Sequence, residues 1–207
     1  MPLKPELRGN PVKRRVDLAS RLAFHRSQPQ SQRLFLNLIS SDLMALSVGS
    51  KAPDFTVSTL GASGPELFTL SEQVGKAPIV LLFVPMAFTG VCTKELCEIS
   101  GGMNDYKNLN ATVIAVSGDN PFAQKAWAEK ENITIPLLSD YDHKVATAYG
   151  IAYDSFLPAK NLTMSGVAKR SAFVIDKAGV IQYAEVLESP GDVPNFEAVK
   201  AKLKELA

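Results

Sequence analysis

The chain has 207 residues, 46% of them hydrophobic and 21% charged, with a net charge of +1. That suits one soluble globular domain plus an extension, and no run approaches the roughly 18 apolar residues of a membrane-spanning helix. Two cysteines are too few for a disulfide-stapled scaffold. With only His25 and His143 beside them they also make a poor zinc site, so no metal or other cofactor is expected.

The charge is uneven. Residues 1–43 carry eight Lys and Arg against three acids, while the remainder is mildly acidic. A basic N-terminal extension is therefore expected over 1–45, with the domain over 46–207. One reading of the extension is a disordered tail, or sequence upstream of a natural start near Met44, which places the protein in the cytoplasm. The other is an organellar transit segment, which is Arg-rich and acid-poor in the same way. The tail lacks interleaved aromatics beyond Phe24 and Phe35, and the body has no basic stripe. Neither a nucleic acid nor a membrane is expected as partner.

Strands and helices alternate along the body. Asp54–Thr59 and Glu66–Leu70 read as short strands separated by the turn-rich tract Gly61–Pro65. Ile79–Val84 is continuously apolar, as a central strand buried on both faces would be. A helix follows, from Thr89 or Cys92 to Asn108. Its apolar residues Leu96, Ile99, Met103 and Tyr106 recur at steps of three and four and define one buried stripe.

Ala111–Ser117 is the next strand. Pro121 opens a helix to about Asn132, with Asp119 and Asn120 as capping candidates and Trp127 as a core residue. A short strand over Ile135–Leu138 and a short helix over Asp142–Tyr149 come next, with His143 assigned to a solvated helix face. Ser171–Asp176 and Val180–Leu187 form a hairpin with Gly179 as its left-handed turn residue. Phe196–Leu206 closes the chain as an amphipathic helix whose Lys200–Lys204 run is read as solvated. The pattern predicts a three-layer α/β domain with no internal repeat.

Cys92 lies where the buried strand gives way to a helix, a place where free N–H groups and aligned peptide dipoles favour negative charge. A thiol reacts as thiolate, and a free one is only about 3% ionised at pH 7. Lowering such a pKa to about 6 raises that fraction about thirtyfold, so further acceleration must come from groups that hold and polarise the electrophile. Thr89 can set its hydroxyl beside the sulfur across the first turn. Pro85 ends the strand, fixes φ and removes one N–H, which shapes a tight, water-poor approach. Arg170, just before the strand at Ser171, is the candidate cation, and Glu95 lies one turn after Cys92 where it could orient an arginine.

Pro85-x-x-x-Thr89-x-x-Cys92, followed by Thr93-Lys94-Glu95, resembles the active-site pattern of the peroxiredoxins. Ala115–Asp119, the helix holding Trp127, Pro136–Asp140, Arg170–Asp176 and the opening Val48–Phe55 are similar to the same family, in order, over about residues 46–207. The resemblance implies a thioredoxin-like fold, a central mixed β-sheet flanked by helices, with Cys92 as peroxidatic cysteine. Thr89 and Arg170 would bind the oxygens of a hydroperoxide and Pro85 would shield the sulfur. It also implies a thioredoxin-type dithiol as reductant and a homodimer across one edge of the domain.

Cys-x-x-x-x-Cys, from Cys92 to Cys97, is similar to the bacterioferritin comigratory protein (PrxQ) branch, in which the second cysteine resolves the first. Met86–Val91 looks more like the AhpE branch. Five residues along a helix are about 140° apart and about 7.5 Å apart in rise, whereas a disulfide needs Cβ atoms at ~4 Å. Resolution by Cys97 therefore requires the helix to unwind, with Gly90 and Gly101-Gly102 as weak points. The alternatives are a buried Cys97 in a one-cysteine peroxidase recycled by an external thiol, or a non-enzymatic redox sensor. A thioredoxin-type oxidoreductase would want Cys-x-x-Cys, which the chain lacks.

Overall fold

A computed structural model describes residues 45–207. Apart from Ala45, the basic extension expected over 1–45 lies outside the described residues. No helix among those described is long and apolar enough to cross a membrane.

Seven strands form one mixed sheet: β1 (Thr56–Gly61), β2 (Gly64–Thr69), β3 (Ile79–Phe83), β4 (Thr112–Ser117), β5 (Leu137–Ser139), β6 (Ser171–Ile175) and β7 (Ile181–Val186). Their order across the sheet is β2-β1-β5-β4-β3-β6-β7. β3, β4 and β5 run parallel, and β6 lies antiparallel to β3. Among the described residues five α-helices accompany them: α1 (Gly90–Gly101), α2 (Met103–Asn108), α3 (Pro121–Glu131), α4 (Lys144–Ala148) and α5 (Phe196–Glu205).

β3 is the apolar run read as a central strand, and every residue of it is buried. Its period of two divides the core between the faces of the sheet. Val80, Leu82 and Val84 point into a cluster with Leu96 and Ile99 of α1, Tyr106 of α2, Trp127 of α3 and Val199 and Leu203 of α5. Ile79, Leu81 and Phe83 point the other way, into a cluster with Val145 and Ala146 of α4, Tyr149 and Phe173. This is the expected three-layer α/β arrangement. Trp127 is fully buried, as expected, and its indole N–H donates to the Thr93 hydroxyl at 3.0 Å, tying α3 to α1.

Several local expectations are corrected. The tract Gly61–Pro65 is not a loop. Only Ala62 and Ser63 turn, while Gly61 and Gly64 pair across the hairpin. Pro65 is accommodated because β2 is an edge strand, where a missing N–H costs no ladder bond on the open side. The single helix expected up to Asn108 is two, because the Gly102 amide is drawn to the carbonyls of Glu98 and Ile99 and ends α1 there. The stripe survives the break, with Leu96, Ile99 and Tyr106 buried and Met103 half-buried.

His143 is not on a helix face. It precedes α4 in the left-handed region (φ 57°), and its ring lies against Gly118 and Gly166, where a Cβ would meet ring atoms at 2.4 and 3.0 Å. Lys200 and Lys202 are half-buried rather than solvated, and Lys200 pairs with Glu197 at 2.7 Å. Gly179 has the left-handed φ of 75° expected for the β6–β7 turn.

The core on the helix-rich face should be the main store of stability. Leu82→Ala, at a fully buried site, is expected to cost about 2–5 kcal/mol. Urea denaturation should show this as a lowered midpoint with an unchanged slope.

Candidate active site

The loop Val84–Thr89 leaves the C-terminal end of β3 and delivers the chain to α1. Pro85 is buried at the bend. Phe88 adopts a left-handed φ of 60°, disfavoured for an aromatic residue, and its half-exposed ring leans on Trp127 with Lys130 above it at 5.7 Å. Thr89 is the N-cap residue in extended conformation. Its hydroxyl donates to the Met86 carbonyl at 2.9 Å, inside the loop, rather than to the sulfur. The turn at Phe88 brings that carbonyl within reach and leaves the lone pairs of Thr89 Oγ1 free to accept.

Cys92 is buried in the first turn of α1. Arg170 meets it there. Because Phe83 of β3 pairs with Ser171 of β6, the residue before Ser171 falls at the C-terminal end of β3, beside the start of α1. Arg170 Nη2 donates to Cys92 Sγ at 3.2 Å and to the Pro190 carbonyl at 3.0 Å. Arg170 Nη1 is ion-paired and hydrogen-bonded to Glu95 Oε2. Cys92, Glu95 and Arg170 are all essentially inaccessible to solvent.

The pair titrates asymmetrically. Burial pushes the Glu95 carboxyl up to about 7, outweighing the attraction of Arg170. Its second oxygen, Oε1, has no hydrogen-bond partner, as expected of a carboxylate taken from water at a cost one ion pair does not recover. Burial opposes the Arg170 charge as well, but the Glu95 carboxylate and the Cys92 sulfur overcome it, so its pKa is raised. The guanidinium is fixed in charge at neutral pH and the carboxyl is the half that titrates.

Cys97 sits apart from this group. Both cysteines are free, and the intact helix α1 carries them. The Cys97 S–H donates to the Glu131 carbonyl at the end of α3, at 3.4 Å. Burial, and then the Glu131 carboxylate, raise its pKa. Thus Cys92, Glu95 and Arg170 converge, Pro85 and Thr89 lie in the loop that leads into α1, and Cys97 bonds to a different helix. Among the described residues no cluster of three His, Cys, Asp or Glu could hold a metal ion.

Two contributors were missed by sequence reasoning. The Pro190 carbonyl offers no side-chain signal at all. Asp119, read as a capping candidate, leaves that task to Asn120, whose side chain accepts from the Ala123 amide at 2.9 Å. Asp119 instead accepts from the Ala87 amide at 2.8 Å. A polar tract after a parallel strand, next to the loop after its neighbour, was the available signal.

Residues 48–184 match the model of the AhpC/TSA family. The chain belongs to that family, the peroxiredoxins. Alkyl hydroperoxide reductase E of Mycobacterium tuberculosis is 35% identical over 150 residues, covering 72% of this chain and 90% of that protein. The chloroplastic 2-cysteine peroxiredoxin of Chattonella marina var. antiqua is 33% identical over 150 residues, covering 69% and 72%. Among solved structures, peroxidoxin BcpB from Mycobacterium tuberculosis superposes with a TM-score of 0.66 at 26% identity, over 78% of this chain and 99% of that one. The peroxiredoxin fold is thioredoxin-like, and so is the sheet described above. Membership also carries the coarse activity of the family, thiol-dependent reduction of peroxide.

The buried carboxyl gives a pH test. A raised folded-state pKa means the folded protein binds the Glu95 proton more tightly than the unfolded chain does. That contribution is fully present below the ordinary 4.5 and is lost as pH rises to about 7. Glu95→Gln should remove this decline, so stability curves of the two proteins measured by denaturation should differ in slope only across that window.

Proposed function

We propose that Cys92 is the peroxidatic nucleophile of a thiol-dependent peroxidase, and that Cys97 resolves it. The Cys92 thiolate attacks the nearer oxygen of a hydroperoxide. An S–O bond forms, the O–O bond breaks, and water or an alcohol leaves after taking up a proton. The Cys97 thiol then attacks the sulfenic sulfur, water departs and a disulfide remains. A thioredoxin-type dithiol returns both cysteines to the reduced state. The single observation that carries this reading is the buried guanidinium donating to Sγ at 3.2 Å while Glu95 holds it from behind.

In this mechanism Arg170 stabilises charge developing on the departing oxygen, and Thr89 Oγ1 accepts from the bound peroxide. Pro85 narrows the approach, which disfavours water. The same reading takes a homodimer as the assembly. Exposed Phe88, Phe122 and Tyr141 follow the C-terminal ends of β3, β4 and β5, and give that assembly an apolar face.

Resolution requires the first turns of α1 to open, which also breaks the Trp127–Thr93 and Cys97–Glu131 hydrogen bonds. One observation favours the second reading, a one-cysteine peroxidase. Cys97 is anchored away from Cys92 and has a raised pKa, which makes it a slow attacking thiol at rest.

Mass spectrometry after one equivalent of peroxide separates the two. A Cys92–Cys97 disulfide, two hydrogens lighter than the reduced chain, is the expected product. A lasting sulfenic acid with Cys97 free would establish the one-cysteine route. Cys92→Ser should abolish peroxide consumption, and a Cys92→Ser protein that still turned over would refute the assignment. Cys97→Ser should leave the first oxidation intact and halt recycling by a thioredoxin system.

A further inference from the structure

The loop that carries Thr89 to the site does not hold its shape by itself. Phe88 sits in a left-handed conformation that an aromatic side chain disfavours, and the loop's own side-chain bond, Thr89 to Met86, closes only one end of the turn. The other fixed point comes from outside. Ala87 is 6% exposed, so its amide needs an acceptor within the protein, and Asp119 Oδ2 provides it at 2.8 Å.

Asp119 is in turn held from two sides. The Ser117 hydroxyl donates to the same carboxylate oxygen at 2.8 Å, and the Ser139 hydroxyl donates to the Asp119 carbonyl at 2.7 Å. Ser117 Oγ accepts from Gln124 Nε2 at 2.9 Å, and that amide group also donates to the Leu138 carbonyl at 2.8 Å. β4 thus bonds the Asp119 carboxylate directly, β5 holds its backbone and α3 braces Ser117, while the outward contact of the carboxylate is the backbone of the loop after β3.

We propose that Asp119 is a positioning residue for the Cys92 site. Its bond to the Ala87 amide sets where Thr89 and the first amides of α1 stand relative to Cys92 Sγ and Arg170. The proposal rests on the peroxidase reading above. Without the acceptor the buried amide must be satisfied by turning the Met86–Ala87 peptide over, which also takes the Met86 carbonyl away from the Thr89 hydroxyl. That displaces Thr89, since the Thr93 amide is bonded to the Thr89 carbonyl and the loop and helix start move together. Arg170 and Glu95 belong to other contacts and stay in place.

The test compares Asp119→Ala with Asp119→Asn, which keeps an oxygen to accept from Ala87. Asp119→Ser takes the place of the alanine variant if that one does not fold. Two measurements are made on the full chain: hydrogen exchange at the Ala87 amide, and the rate of Cys92 oxidation by hydrogen peroxide. A displacement near 1 Å can cost about a hundredfold in rate. Asp119→Ala should speed exchange at Ala87 and slow oxidation at least about tenfold, and Asp119→Asn should restore both to within about threefold.

An asparagine variant as slow as the alanine variant would overturn the proposal, because the acceptor would then not be what matters. So would faster exchange with an unchanged oxidation rate, or exchange unchanged in Asp119→Ala. If the unmodified protein does not react with peroxide, the peroxidase reading fails instead, and exchange at Ala87 tells that failure from absence of the Asp119–Ala87 bond.

Discussion

A guanidinium with no access to solvent must be satisfied by the protein, and that requirement organises the site. Arg170 lies among a carboxylate, a sulfur and a backbone carbonyl, supplied by Glu95, Cys92 and Pro190. Glu95 and Cys92 are three residues apart on α1, so one fork of nitrogen atoms spans both. Meeting all three partners fixes how far β6 slides along β3, how α1 leaves the sheet, and where the chain passes after β7. Removal of any partner would leave charge or donors buried without compensation. The Arg170 Nε group already lacks a partner, so the arrangement has little slack.

In the proposed mechanism, reactivity at Cys92 and resolution by Cys97 make opposite demands on α1. Holding Sγ against the guanidinium calls for an ordered first turn, and the Trp127–Thr93 bond and the loop anchored at Ala87 favour that order. A Cys92–Cys97 bond calls for the same turns to open, because the two thiols leave the helix in different directions. The break at Gly102 shortens α1 to twelve residues, so the stretch to be loosened lies in a short helix. A short helix draws its stability from packing more than from its own hydrogen bonds. The contacts of Leu96 and Ile99 with the core therefore bear directly on how readily the cysteines meet.

Much of this could be read from residue order, and the failures have local causes. The run Ile79–Val84 announced a central strand because a segment buried on both faces has no need to alternate. Gly61–Pro65 misled because glycine and proline are turn residues in general, and only the edge position of β2 makes a strand proline harmless. The helical pattern around His143 places it on a helix face. Its backbone is left-handed, and its ring fills the space that two glycines leave open, neither of which lies near it in the pattern. Asp119 stands out in the sequence as a polar residue before α3, but its partner does not. Capping is a local interaction visible in sequence, whereas the Ala87 amide is thirty-two residues away.

The sequence by itself determined what short-range physics decides: a thiol in the first turn of a helix after a buried strand, a proline and a threonine in the loop before it, and a carboxyl one turn beyond. Each depends on propensity, periodicity or spacing along one stretch of chain. Only the tertiary structure decided that Arg170 comes to the Cys92 end of the sheet, that the Pro190 carbonyl shares it, and that Asp119 holds the loop. Those outcomes follow from the antiparallel register of β3 and β6 and from the neighbouring positions of β3, β4 and β5. Register is set by pairing between segments far apart in the chain, and no local pattern encodes it.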